Sequence, residues 1–230
     1  MTQCLFIFTL TLLLFDSCRT ISSSSDKEVP PPKEILKAQA GHEYWTQLKE
    51  GQRADDYYRI NDQIFCGETG CGAKPMSNID INTFEVCVGS KYAKDNNHVY
   101  YPLEVICVDR EDCGVCSCTK YIIETANSKS FRFLNKDYAT DGTKAYFRGQ
   151  VLDQADGNSF KVINGPEFFY FAVDKDRVFK HGALFPNADP TTFRYDSTDK
   201  RNIPVAHIYI IADKTRKWRF TPPDGIEIIE

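Results

Sequence analysis

Cysteine is the residue type in this sequence whose number and spacing could support chemistry. The chain contains nine cysteines among 230 residues. A cysteine thiol can carry a lipid, form a disulfide or bind a metal ion as a thiolate, and its surroundings decide which of these applies. Two cysteines lie close to the N-terminus, at Cys4 and Cys18. The other seven lie in the middle of the chain, at Cys66, Cys71, Cys87, Cys107, Cys113, Cys116 and Cys118.

Cys18 ends a segment that is typical of an export signal. Residues 5–15 form an uncharged apolar run of eleven residues. This run is too short to cross a bilayer as a helix, which needs about 20 residues, and it fits the apolar core of a secretory signal. The residues from Leu14 to Cys18 resemble a relaxed bacterial lipobox, although Asp16 is atypical. We therefore predict a signal over residues 1–18 with lipidation at Cys18. Plain secretion after Thr20 and a signal anchor are the alternatives.

The predicted lipid anchor would place the chain in the cell envelope. We expect a membrane-anchored lipoprotein of the outer membrane or facing the periplasm, and a secreted protein if the anchor is absent. Residues 19–50 follow as a tether rich in Ser and Pro, a composition that buries little apolar surface. The apolar residues between 33 and 50 predict one possible helix near the end of this tether.

Export also determines what we expect of the other cysteines, because exported proteins meet an oxidising environment in which thiols pair. Cys66 and Cys71 bracket a Gly-rich loop and are predicted to pair with each other. Cys107 and Cys118 lie opposite each other if residues 105–108 and 117–123 form a hairpin. The remaining candidates, Cys113 and Cys116, lie near its tip, which leaves Cys87 as the odd thiol.

Metal and redox chemistry are the alternatives for the Cys-rich segment 107–118. Four thiols within twelve residues, at positions 107, 113, 116 and 118, suit tetrahedral zinc, but a zinc site usually shows two separated Cys-x-x-Cys pairs. A redox-active Cys-x-x-Cys lacks the strand–helix–strand context that it needs. The Asp-x-Asp and Asp-x-Asn starts of a calcium loop occur without the Gly and Glu that complete one. The sequence also contains no nucleophile or phosphate-binding motif. We predict no metal, no cofactor and no catalytic activity.

Composition indicates the fold class and excludes one class of partner. The formal net charge is −4, which argues against a nucleic-acid-binding surface, since such a surface needs clustered Lys and Arg. Aromatic residues make up 13% of the chain, which favours strands because aromatic side chains pack well on a pleated sheet.

A turn motif recurs along the chain after residue 55. It consists of an aromatic or apolar residue, two residues, an Asp, about three residues and a short apolar–aromatic run. Asp and Asn tolerate the positive φ of tight turns and can bond their own backbone, so each copy predicts a β-hairpin. The turns are centred on Asn61/Asp62, Asp95, Asp141, Asp174 and Asp213.

A second motif lies between the hairpins and ends in a phenylalanine. An Asp or Asn begins each copy and is predicted to cap a single helical turn. The phenylalanine that follows is predicted to fill the core of each unit. These plug residues are Phe84, Phe131, Phe160 and Phe193.

The two linked motifs resemble those of the DKNYY family, a group of bacterial exported repeat proteins of unknown function. The resemblance is clearest from Tyr92 to Tyr101 and from Phe171 to Phe193, and it extends over residues 56–220. It implies an exported, mainly β protein and implies no catalytic residues.

These observations predict a mainly β chain of five antiparallel hairpins, arranged as an elongated meander or solenoid over residues 51–230, with a Cys-rich insertion at 107–118. In each Tyr pair, one side chain is predicted to stay on the surface. We expect a non-catalytic binding or structural module that meets an unknown protein or glycan through exposed tyrosines. The alternative is an envelope inhibitor or immunity-type protein that blocks a partner with its Cys-rich loop.

Overall fold

The computed structural model of the chain describes residues 28–38, 43–70, 72–110, 113–166, 169–199, 208–221 and 225–229. Within these ranges the chain forms strands and turns and no helix. None of the described residues therefore belongs to a helix long and apolar enough to cross a membrane. The predicted export signal, its lipidation site Cys18 and residues 19–27 of the tether lie outside these ranges.

Twenty-one short strands make up the described chain. The first nine are β1 (Glu34–Leu36), β2 (Trp45–Gln47), β3 (Gln52–Ala54), β4 (Tyr57–Ile60), β5 (Gln63–Cys66), β6 (Glu85–Cys87), β7 (Ala93–Lys94), β8 (Val99–Arg110) and β9 (Cys113–Ile122). The others are β10 (Arg132–Asn135), β11 (Tyr138–Thr140), β12 (Ala145–Phe147), β13 (Gln150–Val151), β14 (Lys161–Val162), β15 (Phe171–Val173), β16 (Val178–Lys180), β17 (Ala183–Phe185), β18 (Arg194–Asp199), β19 (Ile208–Ala212), β20 (Lys217–Thr221) and β21 (Gly225–Ile228).

The strands form five sheets, which we call A to E in chain order. Sheet A has the order β1-β3-β4-β5, and sheet B has the order β2-β6-β7-β8-β9. Sheets C, D and E each contain four consecutive antiparallel strands, β10 to β13, β14 to β17 and β18 to β21. The prediction of a mainly β chain with antiparallel hairpins is confirmed.

The helix predicted near the end of the tether is wrong. Residues 34–36 form β1, which pairs in parallel with β3, and residues 45–47 form β2, which pairs antiparallel with β6. Glu43, which precedes β2, also contacts sheet C, because its Oε1 accepts the backbone N–H of Phe133 at 3.0 Å. The segment forms strands because the open edges of β3 and β6 offer it backbone hydrogen bonds that its weak helical pattern cannot match.

Four apolar clusters are each shared by two sheets that are consecutive in the chain. One contains Ala54 of sheet A and Val86 of sheet B, and the next contains Val99 of sheet B and Ala139 of sheet C. Equivalent clusters lie between sheets C and D and between sheets D and E. Sheets B, C and D are therefore covered on both faces, so their apolar residues need not alternate with polar ones.

This double coverage corrects the prediction that one Tyr of each pair stays on the surface. Tyr100 and Tyr101 are both buried, although they point to opposite faces of sheet B. Tyr100 packs in the cluster between sheets A and B, and Tyr101 packs in the cluster between sheets B and C. The tyrosines of the repeat therefore stabilise the fold and are not available to a partner.

The predicted plug phenylalanines are confirmed, since all four are buried in the clusters between sheets. Each plug ring contacts an aromatic ring of the preceding sheet and one of the following sheet. Phe131, for example, lies 5.3 Å from Tyr92 and 5.6 Å from Tyr146, measured between ring centroids. The other plugs repeat this arrangement with the pairs Tyr57 and Tyr100, Tyr138 and Phe179, and Phe171 and Trp218.

Candidate functional site

The Asp residues of the turn motif are buried and organise the hairpin turns. Asp95 is only 4% exposed, and its Oδ1 accepts the backbone N–H groups of Asn97 and His98, both at 2.7 Å. The same pair of bonds recurs at the other three equivalent positions, Asp141, Asp174 and Asp213. The first copy differs, because its turn is made by Asn61 and Asp62 with φ of +52° and +55°.

The second oxygen of each buried carboxylate holds the plug segment. Oδ2 of Asp95 accepts the backbone N–H of Asp80 at 2.8 Å, and Oδ2 of Asp213 accepts that of Asp189 at 2.8 Å. The first residue of each plug segment in turn caps its own short turn, as Asp80 does for the N–H of Asn82. These carboxylates therefore link the hairpin to the plug, and calcium is not needed to explain them.

Hydrogen bonding keeps Asp95, Asp141 and Asp213 ionised in spite of their burial. At Asp95 burial is the largest single influence and acts to raise the pKa. The donated bonds from Tyr100 Oη and from three backbone N–H groups outweigh it, so the pKa lies below its usual value. The pKa values of Asp141 and Asp213 are lowered by the same balance. A buried acid that is held ionised by four donors stabilises the turn and has no proton to give to a substrate.

The cysteines form two disulfides within the described residues, and neither matches the predicted pairing. Cys66 is bonded to Cys118 and not to Cys71, across 52 residues of sequence. Cys107 is bonded to Cys116 and not to Cys118. These bonds use three of the four thiols of the alternative zinc site, and the described residues contain no group of three metal-ligating side chains. Cys71 and the side chain of Cys113 lie outside the description.

The predicted pairing failed because the strand register differs from the simple hairpin. β8 and β9 pair antiparallel, but the register shifts between Tyr100 and Glu104 and again between Glu104 and Val105. These irregularities place Cys107 directly opposite Cys116. Cys118 is then free to reach Cys66 at the end of β5, which sheet stacking brings close.

Cys87 is a free thiol among the described residues, as predicted, and it is buried in the cluster between sheets B and C. Burial is the main cause that raises the pKa of this thiol. A buried thiol with a raised pKa is a poor nucleophile and behaves as a small apolar residue. Cys87 is therefore part of the core.

The Cys-rich insertion is a long hairpin that carries an exposed apolar surface. We call residues 104–110 of β8 and 113–118 of β9 the stapled hairpin. Val105, Ile106 and Val108 are 47%, 49% and 44% exposed, and they are three of the seven large exposed hydrophobic side chains among the described residues. A concentration of exposed apolar residues in one strand is typical of a contact surface, whereas single ones are normal. The run of β-branched residues around Cys107 is the sequence signal for this surface.

The chain holds the stapled hairpin firmly against sheet A. The backbone N–H of Glu68 donates to the carbonyl of Cys116 at 2.7 Å, and the Glu68 carboxylate accepts the N–H of Cys116. Gly67 allows this approach, because a Cβ at this position would lie 2.1 Å from the Cys116 carbonyl oxygen. Its φ of +115° also disfavours any side chain. The hairpin is thus fixed by backbone bonds as well as by its disulfides.

A polar cleft of about 380 Å³ lies at the edge of sheet B, beside the plug segment of the next unit. Gln47, Glu85 and Lys94 stand next to each other on β2, β6 and β7 and share one face of the sheet. Nζ of Lys94 lies 4.3 Å from the ring centroid of Trp45. The lining is polar and carries both signs of charge, a surface that can hydrogen-bond a hydrophilic ligand.

Neither described histidine forms a catalytic group with these residues. His98 lies at the end of a turn, and its Nδ1 is buried without a hydrogen-bond partner. His181 stacks between Phe147 and Tyr170. His42 and His207 lie outside the described residues.

The described part of the chain is mainly β and is built from repeated hairpin units, in which a buried Asp organises four of the five turns and a plug Phe fills each cluster between sheets. The DKNYY family model matches residues 57–180, which is more than half of the chain. The chain therefore belongs to the DKNYY family. Comparison with curated proteins and with solved structures gives no match.

Proposed function

We propose that this chain is an exported, lipid-anchored envelope protein that acts as a non-catalytic binding or structural module. Its partner contacts the stapled hairpin. The observation that carries this proposal is the exposed run of Val105, Ile106 and Val108 in a hairpin held by two disulfides. This surface replaces the repeat tyrosines, which are buried. A rigid surface loses little conformational entropy on binding, which favours affinity.

We propose further that the five sheets form an elongated meander or solenoid, which begins with β1 and β2 ahead of the predicted range 51–230. The support is that each apolar cluster between sheets joins two sheets that are consecutive in the chain. Contacts of this kind stabilise an array through its nearest neighbours. Small-angle X-ray scattering tests the shape. A radius of gyration close to that of a compact 200-residue domain, about 16 Å by the usual scaling, would contradict it.

The proposed anchor is a lipid on Cys18, joined to the folded part by a Ser- and Pro-rich tether. The support is the apolar segment 5–15 followed by Leu14 to Cys18. Labelling with radioactive palmitate tests it in wild type, in Cys18→Ala and in the matched control Cys4→Ala. We expect label in wild type and the control and none in Cys18→Ala. Equal label in all three refutes the anchor.

The contact surface is tested by capturing partners from native envelope extracts with the purified chain. The variant Ile106→Lys/Val108→Lys keeps both disulfides and adds charge to the exposed run. The control Leu184→Lys changes an exposed leucine on β17, which is 50% exposed. We expect capture to be lost in the hairpin variant only. Capture that survives in the hairpin variant contradicts the proposed surface.

The alternative hypothesis, an envelope inhibitor or immunity-type protein, uses the same surface but lowers the activity of the partner that binds there. If the captured partner is an enzyme, an inhibitor lowers its turnover at a one-to-one ratio, and the hairpin variant does not. A scaffold leaves the turnover unchanged in both cases. A glycan partner would instead use the polar cleft, and Lys94→Ala tests this class while the hairpin stays intact.

A further inference from the structure

The outer edge of β8 has no partner strand along the stapled hairpin. β7 pairs with only two residues of β8, Val99 and Tyr100, whereas β9 pairs as far as Arg110. Within the described part of the chain, the backbone from 104 to 109 makes one other hydrogen bond, in which the Glu104 carbonyl accepts the hydroxyl of Thr119 on β9 at 3.5 Å. Alternate N–H and C=O groups along this edge therefore point away from the sheet. Such an edge is a template for an added strand, and natural proteins usually cover it or protect it with Pro or Lys.

The side chains of this edge define the chemistry of the strand that fits it. Glu104, Ile106 and Val108 share one face, and Val105 and Asp109 share the other. The edge is therefore apolar in the middle, with an exposed carboxylate at each end. Glu104 accepts a hydrogen bond from Thr119 at 2.7 Å, and Asp109 has no ion pair among the described residues. A matching strand carries β-branched residues in the middle and a cation at each end.

We propose that the β8 edge over residues 104–109 binds an extended segment of a partner protein as an added antiparallel strand. This inference rests on the proposed function and names the chemistry of its partner. The segment has β-branched residues between two basic residues spaced five positions apart, which oppose Glu104 and Asp109. The carboxylates favour this segment and repel an acidic one. The disulfides hold the template in its bound shape before the partner arrives.

The test uses the intact exported chain and a fluorescent peptide, Ser-Arg-Val-Thr-Val-Thr-Arg-Ser, in fluorescence anisotropy. A second peptide has Glu in place of both Arg. Two further peptides carry N-methyl groups on the Val residues or on the Thr residues. Alternate N–H groups of an added strand face the template, so we expect one methylated peptide to bind at least about tenfold more weakly and the other to bind like the parent. We also expect the Glu peptide to bind at least about tenfold more weakly than the parent.

Variants of the chain separate the contributions of the edge. In Glu104→Gln/Asp109→Asn we expect the Arg and Glu peptides to bind with similar affinity. The control Leu184→Lys should bind the Arg peptide like wild type. Binding that is lost equally with both methylated peptides, or equally in the control, overturns strand addition. The absence of any peptide binding also overturns strand addition by a partner. If sedimentation then shows that the wild-type chain pairs with itself through this edge, the edge binds a second copy of the chain.

Failure of this inference and failure of the proposed function give different results. If Ile106→Lys/Val108→Lys loses the native partner but no peptide binds to wild type, the hairpin is the contact surface and strand addition is wrong. If the Arg peptide binds to the edge but the hairpin variant still captures the native partner, strand addition stands and the proposed contact surface is wrong.

Discussion

Replacing Asp95 by Asn removes one charged oxygen while it keeps the shape of the side chain. In the folded protein Oδ1 accepts two backbone N–H groups of the turn, and an Asn Oδ1 can still do so. Oδ2 accepts the N–H of Asp80 at 2.8 Å and the hydroxyl of Tyr100 at 2.6 Å. In the Asn variant an NH₂ group faces these two donors.

The cost follows from the bonds that are lost. A hydrogen bond to a charged group contributes about 1.5–3 kcal/mol, so the loss of two such bonds sets the upper limit of the decrease in the free energy of unfolding. The Tyr100 hydroxyl can turn and accept from the new amide, which offsets part of the loss. We therefore expect Asp95→Asn to lower the free energy of unfolding by about 3 kcal/mol.

Asp174 supplies a matched control for the Tyr bond. Its Oδ2 accepts the N–H of Asp156 at 2.9 Å, and residue 179, which stands where Tyr100 does in the earlier copy, is a phenylalanine without a hydroxyl. We expect Asp174→Asn to cost about 2 kcal/mol, since one bond to Oδ2 is lost there and not two. The difference measures what the tyrosine hydroxyl adds to the buried carboxylate.

Urea unfolding measures these costs, with tryptophan fluorescence and circular dichroism as probes. A double-mutant cycle with Tyr100→Phe isolates the hydroxyl bond. We expect Tyr100→Phe to cost about 1–2 kcal/mol in wild type and clearly less in Asp95→Asn, where the hydroxyl keeps only a bond to a neutral amide. The m-value should stay the same in all variants, as two-state comparison requires. If Tyr100→Phe costs the same in both backgrounds, or if Asp95→Asn costs less than Asp174→Asn, the assigned role of Oδ2 is wrong.

Three further predictions concern the disulfides, the plug residues and acid. By loop-closure entropy, Cys66→Ser should cost about 4 kcal/mol because its loop spans 52 residues, whereas Cys107→Ser, with a loop of 9 residues, should cost about 2.5 kcal/mol in urea unfolding. Phe131→Ala should cost about 3–5 kcal/mol, and a cost below that of an exposed Leu184→Ala would contradict the plug role. Folding lowers the pKa values of Asp95, Asp141 and Asp213. The ionised carboxylates therefore stabilise the folded state fully above about pH 4, and this stabilisation is lost as the pH falls further. Unfolding curves between pH 2 and pH 6 measure this loss. Stability that rises on acidification over that range would contradict this prediction.

The turns and plugs could be predicted from the sequence because their interactions are local. The bonds from Asp95 to its own turn span two or three residues, and the bond to Asp80 spans fifteen. A repeated spacing of polar and aromatic residues therefore carries the information. In the first copy Tyr57 takes the place of Tyr92, because Tyr57 contacts Phe84 as Tyr92 contacts Phe131. The first turn has two residues between Ile60 and Gln63, whereas four residues lie between Lys94 and Val99 in the second copy, and this different turn shifts the polar residues relative to the aromatic one.

Features that depend on distant pairing could not be predicted. β1 and β2 contain three residues each and become strands only because β3 and β6 offer them open edges. The pairing of Cys66 with Cys118 depends on how sheets A and B stack, which no local pattern encodes. The burial of both Tyr100 and Tyr101 depends on a sheet covered on both faces. The sequence predicts one exposed tyrosine in each pair because the alternation of side chains along a strand does not show whether the sheet is covered on one face or on both.

In the second unit, the residues that stabilise the fold are different from the residues of the proposed contact surface. The chain runs 19 residues from Asp141 to Phe160 and from Asp174 to Phe193, but 36 residues from Asp95 to Phe131. The extra residues lengthen β8 and β9, while the buried Asp and the plug Phe of this unit keep the contacts of the other units.

A hairpin added in this way can change its exposed residues without disturbing the clusters between sheets. Among the described residues, the bonds to Glu68, the bridge from Gly67 to Ser117 and the disulfide to Cys66 connect it to the end of sheet A. Substitutions at Ile106 and Val108 should therefore alter binding at nearly constant stability. Substitutions at the buried Asp and Phe positions should lower stability while the folded fraction still binds with unchanged affinity. A variant of Ile106 that unfolds the chain would show that the hairpin is part of the core and not a surface carried by it.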